Sequence, residues 1–186
     1  MNEHFWWHLS RASGIVAWGL LLASSLWGIL LATRLLKPYD RPAWLRDLHT
    51  WLGAITVLGT SLHVAAIVAD SYVHFGLADV AVPFASSWKP VAVAWGVVGA
   101  YLLLAVQASS LLMRRIPRRA WRAIHLLSYA LFATVSVHAF TAGTDRTSDA
   151  FQAFGIAVVA VMMGATVLRA MHRGSPRTRL VTADAA

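Results

Sequence analysis

HTWLGAITVLGTSLH, residues 49–63, is an apolar run with a histidine at each end, and HLLSYALFATVSVH, residues 125–138, has the same design. The two steps between histidines are 14 and 13 residues long, which is about 20 Å along a helix. Ionisable side chains are rare in a bilayer core and usually mark a functional site there. These stretches therefore predict two helices that cross a membrane, each with a histidine near either face.

Apolar segments of membrane-spanning length occur five times in the chain, at residues 12–33, 47–69, 90–113, 120–140 and 150–168. Each is close to the roughly 20 residues that a helix needs to cross the hydrocarbon layer. The composition, 58% hydrophobic and 13% charged, is typical of an integral membrane protein. We predict an all-α bundle of five transmembrane helices in a lipid bilayer, with a membrane domain at residues 1–173 and a disordered basic tail at 174–186.

The basic residues indicate how the bundle is oriented. Of the 16 lysines and arginines, 13 lie in the flanks 34–46 and 114–122 or beyond residue 168. The other side has only Arg11, Lys89 and Arg146. The positive-inside rule then places the N-terminus outside and the C-terminus in the cytoplasm of a multi-pass cell-membrane protein. The same clustering accounts for the net charge of +8, so no nucleic-acid partner is expected.

Cysteine is absent from the chain. Disulfides, thiolate-ligated iron–sulfur clusters and covalent haem attachment through a C-x-x-C-H motif are therefore excluded. A haem in this protein would have to be held without a covalent bond to the porphyrin, by histidine or methionine.

The predicted topology pairs the histidines by depth in the membrane. Spans two and four run in the same direction, so His49 and His125 lie near the cytoplasmic face and His63 and His138 near the outer face. Each pair could hold one of two stacked b-type haems through its iron. A 14-residue step returns to within about 40° of the same helix face, but a 13-residue step misses it by about 140°. Span four therefore needs a bend, a local change of winding, or ligands that approach from different sides.

Small and basic residues near these histidines are further candidates for the cofactor site. Gly53 and Gly59 lie one turn from His49 and His63, where they could admit a flat macrocycle or simply allow helices to pack. Arg46 and Arg122 each precede an inner histidine by three residues. They could pair with haem propionates, although the positive-inside rule alone also explains them.

The histidine pairs, on helices separated by one intervening span, resemble the ferric reductase-like transmembrane domain. This superfamily includes ferric reductases, NADPH oxidases and the haem subunit of a periplasmic methionine sulfoxide reductase system, and the resemblance covers roughly residues 10–170. It implies two b-type haems, the inner held by His49 and His125 and the outer by His63 and His138. It also implies outward electron transfer, and a pairing of Arg11 with an outer haem propionate, for which an interfacial anchor is the alternative.

Departures from the family pattern bear on the partners. The chain has no dinucleotide-binding fingerprint, so no flavin site is expected within it. The expected donor is therefore a separate flavoprotein reductase or a quinol. Ile67 stands where oxidases of the family tend to have a second histidine, which disfavours superoxide production.

Three functions follow from these features. The first is a di-haem b-type cytochrome that reduces a ferric chelate or an outer redox protein, and so acts as an oxidoreductase component. The second is a haem subunit that passes electrons to an extracytoplasmic partner oxidoreductase. The third, of another class, is a metal or proton transporter that uses the buried histidines.

Overall fold

The computed structural model describes residues 4–37, 39, 41–71 and 73–174. Throughout these ranges the regular elements are helical, as predicted, and no strand occurs in them. The helices are α1 (Phe5–Thr33), α2 (Pro42–Ala69), α3 (Leu77–Ala81), α4 (Pro90–Leu111), α5 (Arg118–Leu126), α6 (Ser128–Ala142) and α7 (Asp149–Gly174), with a 3₁₀ turn at Thr144–Thr147 before α7. The predicted disordered tail lies outside the described residues, apart from Gly174 at the end of α7.

Five of these helical stretches in the described part of the chain are long and apolar enough to cross a membrane. They are α1, α2, α4, the consecutive helices α5 and α6 taken together (Arg118–Ala142), and α7. Pro42 and Pro90 begin α2 and α4, positions at which proline loses no intrahelical hydrogen bond. The predicted number of spans is therefore confirmed, and the protein is a multi-pass membrane protein.

The fourth span is interrupted between its two histidines. Helix α5 ends at Leu126 and α6 begins at Ser128. At the junction the Leu127 N–H donates to the carbonyl of Ile124, three residues back, at 3.0 Å, which is the tighter winding of a 3₁₀ turn. Of the three alternatives for this span, the structure shows the local change of winding. The two histidines that flank this turn, His125 and His138, each face a histidine of α2.

The bundle consists of two helix pairs and a covering helix. α1 packs along most of α2, α4 packs along α6 and the end of α5, and α7 lies against α1. Trp18 of α1 is almost completely buried at the centre, and its indole N–H donates to the Ser136 hydroxyl at 3.1 Å. The paired histidines are carried by α2, α5 and α6. Helix α1 lies behind α2, and α4 lies behind α5 and α6, so α1 and α4 are called the backing helices below.

Candidate functional site

His63 and His138, the pair predicted to lie near the outer face and called the outer pair below, face one another between α2 and α6. The ring centroids of His63 and His138 are 6.3 Å apart, and the ring planes are inclined by 78°. Both rings are only partly exposed. The structure therefore brings together two side chains that are 75 residues apart in the sequence, as the topology predicted.

His49 and His125, the pair predicted to lie near the cytoplasmic face and called the inner pair below, have nearly the same arrangement. The centroids of His49 and His125 are 6.0 Å apart at an angle of 80°. The indole of Trp121, one turn before His125 on α5, stacks on the His125 ring at 5.1 Å. Because α2 is unbroken from Pro42 to Ala69, the inner and outer pairs are separated by about 21 Å along the helix axis.

Both pairs have the separation expected of two imidazoles on opposite sides of one metal atom. A first-row metal–imidazole bond is about 2.0 Å long, and an imidazole centroid lies about 1.1 Å behind the bound nitrogen, which gives about 6.2 Å between the centroids. The observed values are 6.3 and 6.0 Å. Among the described residues no group of three or more His, Cys, Asp or Glu side chains could hold a bare metal ion. The arrangement suits a metal whose remaining ligands come from a macrocycle.

Main-chain carbonyls on the backing helices orient three of the four rings. Each of these rings donates its Nδ1 hydrogen to a carbonyl oxygen of α1 or α4. The bonds join His63 to Ser10 at 2.7 Å, His49 to Ser24 at 2.9 Å, and His138 to Ala92 at 2.8 Å. With the proton held at Nδ1, the lone pair of the neutral ring is at Nε2, which is the nitrogen left to bind a metal.

Glycines on the backing helices make room for these rings. A Cβ at Gly14 would lie 2.9 Å from the His63 ring, and a Cβ at Gly28 would lie 3.2 Å from the His49 ring. At Gly96 the distance to the His138 ring would be 2.8 Å. Any side chain at Gly14 or Gly96 would force the ring to move, so these glycines are required for the observed contacts.

An apolar cavity of about 240 Å³ lies between the outer histidines and reaches towards the middle of the bundle. Its walls include Leu103, Leu131 and Thr60. Arg11 and Asp145 also line it and form a two-bonded ion pair through Nε and Nη2 of the guanidinium. Arg11 therefore has a protein carboxylate as its partner at the outer end of the cavity, and the predicted propionate contact stays a prediction.

The remaining predicted site residues are two glycines of α2 and two arginines. A Cβ at Gly53 would meet the Gln107 side-chain oxygen on α4 at 3.1 Å, and one at Gly59 would meet the Ala17 side chain on α1 at 3.5 Å. These contacts favour helix packing for both glycines. Arg46 and Arg122 are exposed, in keeping with the positive-inside alternative.

The glycines that adjoin the rings were missed from the sequence, although a signal for two of them was present. Gly14 and Gly28 repeat the 14-residue step of His49 and His63 on the preceding span. When two adjacent helices each carry a pair of residues 14 positions apart, both residues of one pair can lie at the same depths as those of the other. That coincidence could have paired Gly28 with His49 and Gly14 with His63.

The fold and the site together define a class: a multi-pass helical membrane protein with two facing imidazole pairs, stacked about 21 Å apart. The chain belongs to the family of ferric reductase like transmembrane components, whose profile matches residues 13–136. The matched region includes three of the four paired histidines and ends just before His138. Neither a search of curated proteins nor a search of solved structures gave a match. Membership identifies the protein as a membrane electron-transfer component of a family that generally binds haem.

Proposed function

We propose that this protein is a di-haem b-type cytochrome that conducts electrons across the membrane. The observation that carries the proposal is the repeated facing pair, His49 with His125 and His63 with His138, at separations that suit one iron each. Haem at each pair would supply the one-electron redox chemistry. The protein holds both groups without covalent attachment, because the chain has no cysteine.

The residues of the chain have separable tasks in this function. The four imidazoles would hold the two haems, and carbonyls of α1 and α4 set the tautomer and orientation of three of them, those of His49, His63 and His138. Gly14, Gly28 and Gly96 allow the backing helices to approach the rings. The apolar walls of the outer cavity would exclude water from a haem bound there and lower the local dielectric.

The proposed function is tested by an absorption spectrum of the purified protein, reduced minus oxidised, after expression with adequate haem supply. We expect a b-type signal and two haems per chain by a quantitative pyridine haemochrome assay. A protein that folds in detergent and contains no haem would contradict the proposal. The transporter alternative then becomes the leading interpretation, since it needs the buried histidines but no porphyrin.

The orientation, with the N-terminus outside, is part of the proposal and rests on the distribution of basic residues. The absence of cysteine makes it testable by single-cysteine labelling in intact cells. An Ala78→Cys variant is expected to react with a membrane-impermeant maleimide, because Ala78 is exposed in α3 on the predicted outer side. An Arg115→Cys variant, exposed after α4, should react only after permeabilisation. The reverse pattern would invert the proposed direction of electron flow.

The ends of the electron path follow from this orientation and from the family. The inner pair would receive electrons from a separate flavoprotein reductase or a quinol, and the outer pair would deliver them to a ferric chelate or to an extracytoplasmic redox protein. The outer cavity supports delivery on that side, because the partly exposed ion pair Arg11–Asp145 borders it.

A further inference from the structure

The helices that back the histidines carry a repeat of their own. The repeat consists of a residue whose carbonyl faces a histidine-bearing helix and a small residue four positions later. It occurs twice on α1 and twice on α4, and the two occurrences on each helix are 14 residues apart. The carbonyl and small-residue combinations are Ser10 with Gly14, Ser24 with Gly28, Ala92 with Gly96, and Val106 with Ser110. Residues four apart lie on the same face of a helix, one turn from each other. In the first three combinations the histidine ring donates to the carbonyl and rests against the glycine.

The fourth combination departs from this repeat because Ser110 occupies the glycine position. Nδ1 of His125 lies 3.4 Å from the Ser110 hydroxyl oxygen. Among the described residues, Ser110 is the hydrogen-bond partner of His125 Nδ1. In the other three rings, Nδ1 has a main-chain carbonyl oxygen at 2.7–2.9 Å. The Ser110 hydroxyl in turn donates to the Val106 carbonyl at 2.9 Å. The Ser110 hydroxyl thus lies between His125 and the carbonyl that would orient this ring in the pattern of the other three.

The length of this contact determines its chemical consequence. A hydrogen bond weakens steeply beyond the usual 2.7–3.2 Å range, so the Nδ1 hydrogen of His125 is held less strongly than those of the other rings. A strong bond at Nδ1 increases the basicity of a metal-binding imidazole, and a weak one increases it less. Weaker electron donation from an axial ligand favours ferrous over ferric iron, and ligand donation is one of the means by which a protein sets haem potential.

We propose that Ser110 is a positioning residue that raises the reduction potential of the inner haem by withholding the carbonyl bond from His125. The inference rests on the proposed di-haem function and adds an asymmetry between its two sites. An inner haem of raised potential accepts electrons more readily from the cytoplasmic donor. Trp121, stacked on the same ring, keeps the imidazole from turning towards another acceptor.

Two substitutions at Ser110 are expected to act in opposite directions. Ser110→Gly removes both the hydroxyl and the Cβ, so His125 can approach the Val106 carbonyl as the other rings approach theirs, and the potential of the inner haem falls. Ser110→Ala removes the acceptor but keeps the Cβ in the way, and the potential rises. The expected change in the ferrous-to-ferric ratio at a fixed ambient potential is about threefold in each case. That is about 28 mV, since a tenfold change corresponds to 59 mV for one electron.

The measurement is a potentiometric titration followed by visible absorption, on the intact protein and in two single-haem backgrounds. His63→Ala isolates the inner haem, in which the Ser110 shifts should appear, and His49→Ala isolates the outer haem, in which they should not. Ser109→Ala is the matched control, because Ser109 also donates to the Val106 carbonyl at 2.9 Å, while the Ser110 hydroxyl stays between that carbonyl and His125 in this variant. It should leave both potentials unchanged.

Opposite shifts confined to the inner haem support the proposal. Shifts of the same sign, equal shifts in both haems, or unchanged potentials in both Ser110 variants would overturn it while leaving the di-haem function intact. A wild-type protein without a b-type spectrum overturns the di-haem function, and the role of Ser110 with it. The spectrum of each variant, recorded before titration, verifies that the inner haem is present.

Discussion

His63→Ala is expected to leave one haem per chain. The substitution removes one of the two imidazoles of the outer pair, whose rings face one another with centroids 6.3 Å apart. The inner pair is about 21 Å away along α2 and shares no ligand with the outer pair, so its haem should persist. The pyridine haemochrome assay should therefore fall from two haems to one, and the remaining haem should keep its spectrum and potential.

His172→Ala is the control for the loss of a histidine as such. His172 lies near the end of α7, exposed, with its ring bonded to the Leu168 carbonyl of its own helix. This variant should retain two haems. Retention of both haems in His63→Ala would mean that another residue ligates the outer iron, and loss of both would mean that the two sites are coupled in folding.

Gly14→Val is expected to empty the outer site although it changes no ligand. The first atom of any side chain at this position would lie 2.9 Å from Nδ1 of His63, closer than carbon and nitrogen atoms approach without a bond. The ring would be pushed away from the Ser10 carbonyl, to which it donates at 2.7 Å, and it would lose the orientation that faces His138. We expect one haem per chain, as in His63→Ala, with the inner haem unchanged.

Gly19→Val, on the same helix, provides the comparison. Apart from the adjoining backbone of α1, a Cβ at Gly19 would have no atom within 4 Å, so the same change of residue in the same helix should leave both haems bound. The pair of variants therefore separates steric displacement of the ring from any general effect of valine in α1. If Gly14→Val retains two haems of normal potential, the contact between α1 and the His63 ring does not hold the ligand.

Much of this architecture could be predicted because it is local. Hydropathy predicted five spans, since crossing a bilayer needs about 20 apolar residues in succession, and five such helices are found in the described part of the chain. The 13-residue step between His125 and His138 indicated an irregular fourth span or ligands that approach from different sides, and the interruption at Leu127 shows the irregularity. Both inferences depend only on geometry within a single helix.

The surroundings of the histidines could not be predicted in the same way. Gly53 and Gly59 are close to His49 and His63 in sequence. Which neighbouring helix a glycine of α2 contacts, however, depends on how α2 is rotated in the bundle. In the bundle these glycines meet Gln107 and Ala17. The glycines that adjoin the rings, among them Gly14 and Gly96, belong to other helices. Arg11 likewise has Asp145 as its partner, a residue 134 positions away.

The sequence by itself determined the class of the protein, the number of its spans and the pairing of its histidines, because hydropathy and helical periodicity act along one segment at a time. Only the tertiary structure decided which carbonyl each ring bonds and that a serine stands at one glycine position of the repeat. Those contacts depend on how far α1 and α4 are rotated and shifted against α2, α5 and α6. That arrangement arises from packing over the whole bundle, which no single segment encodes.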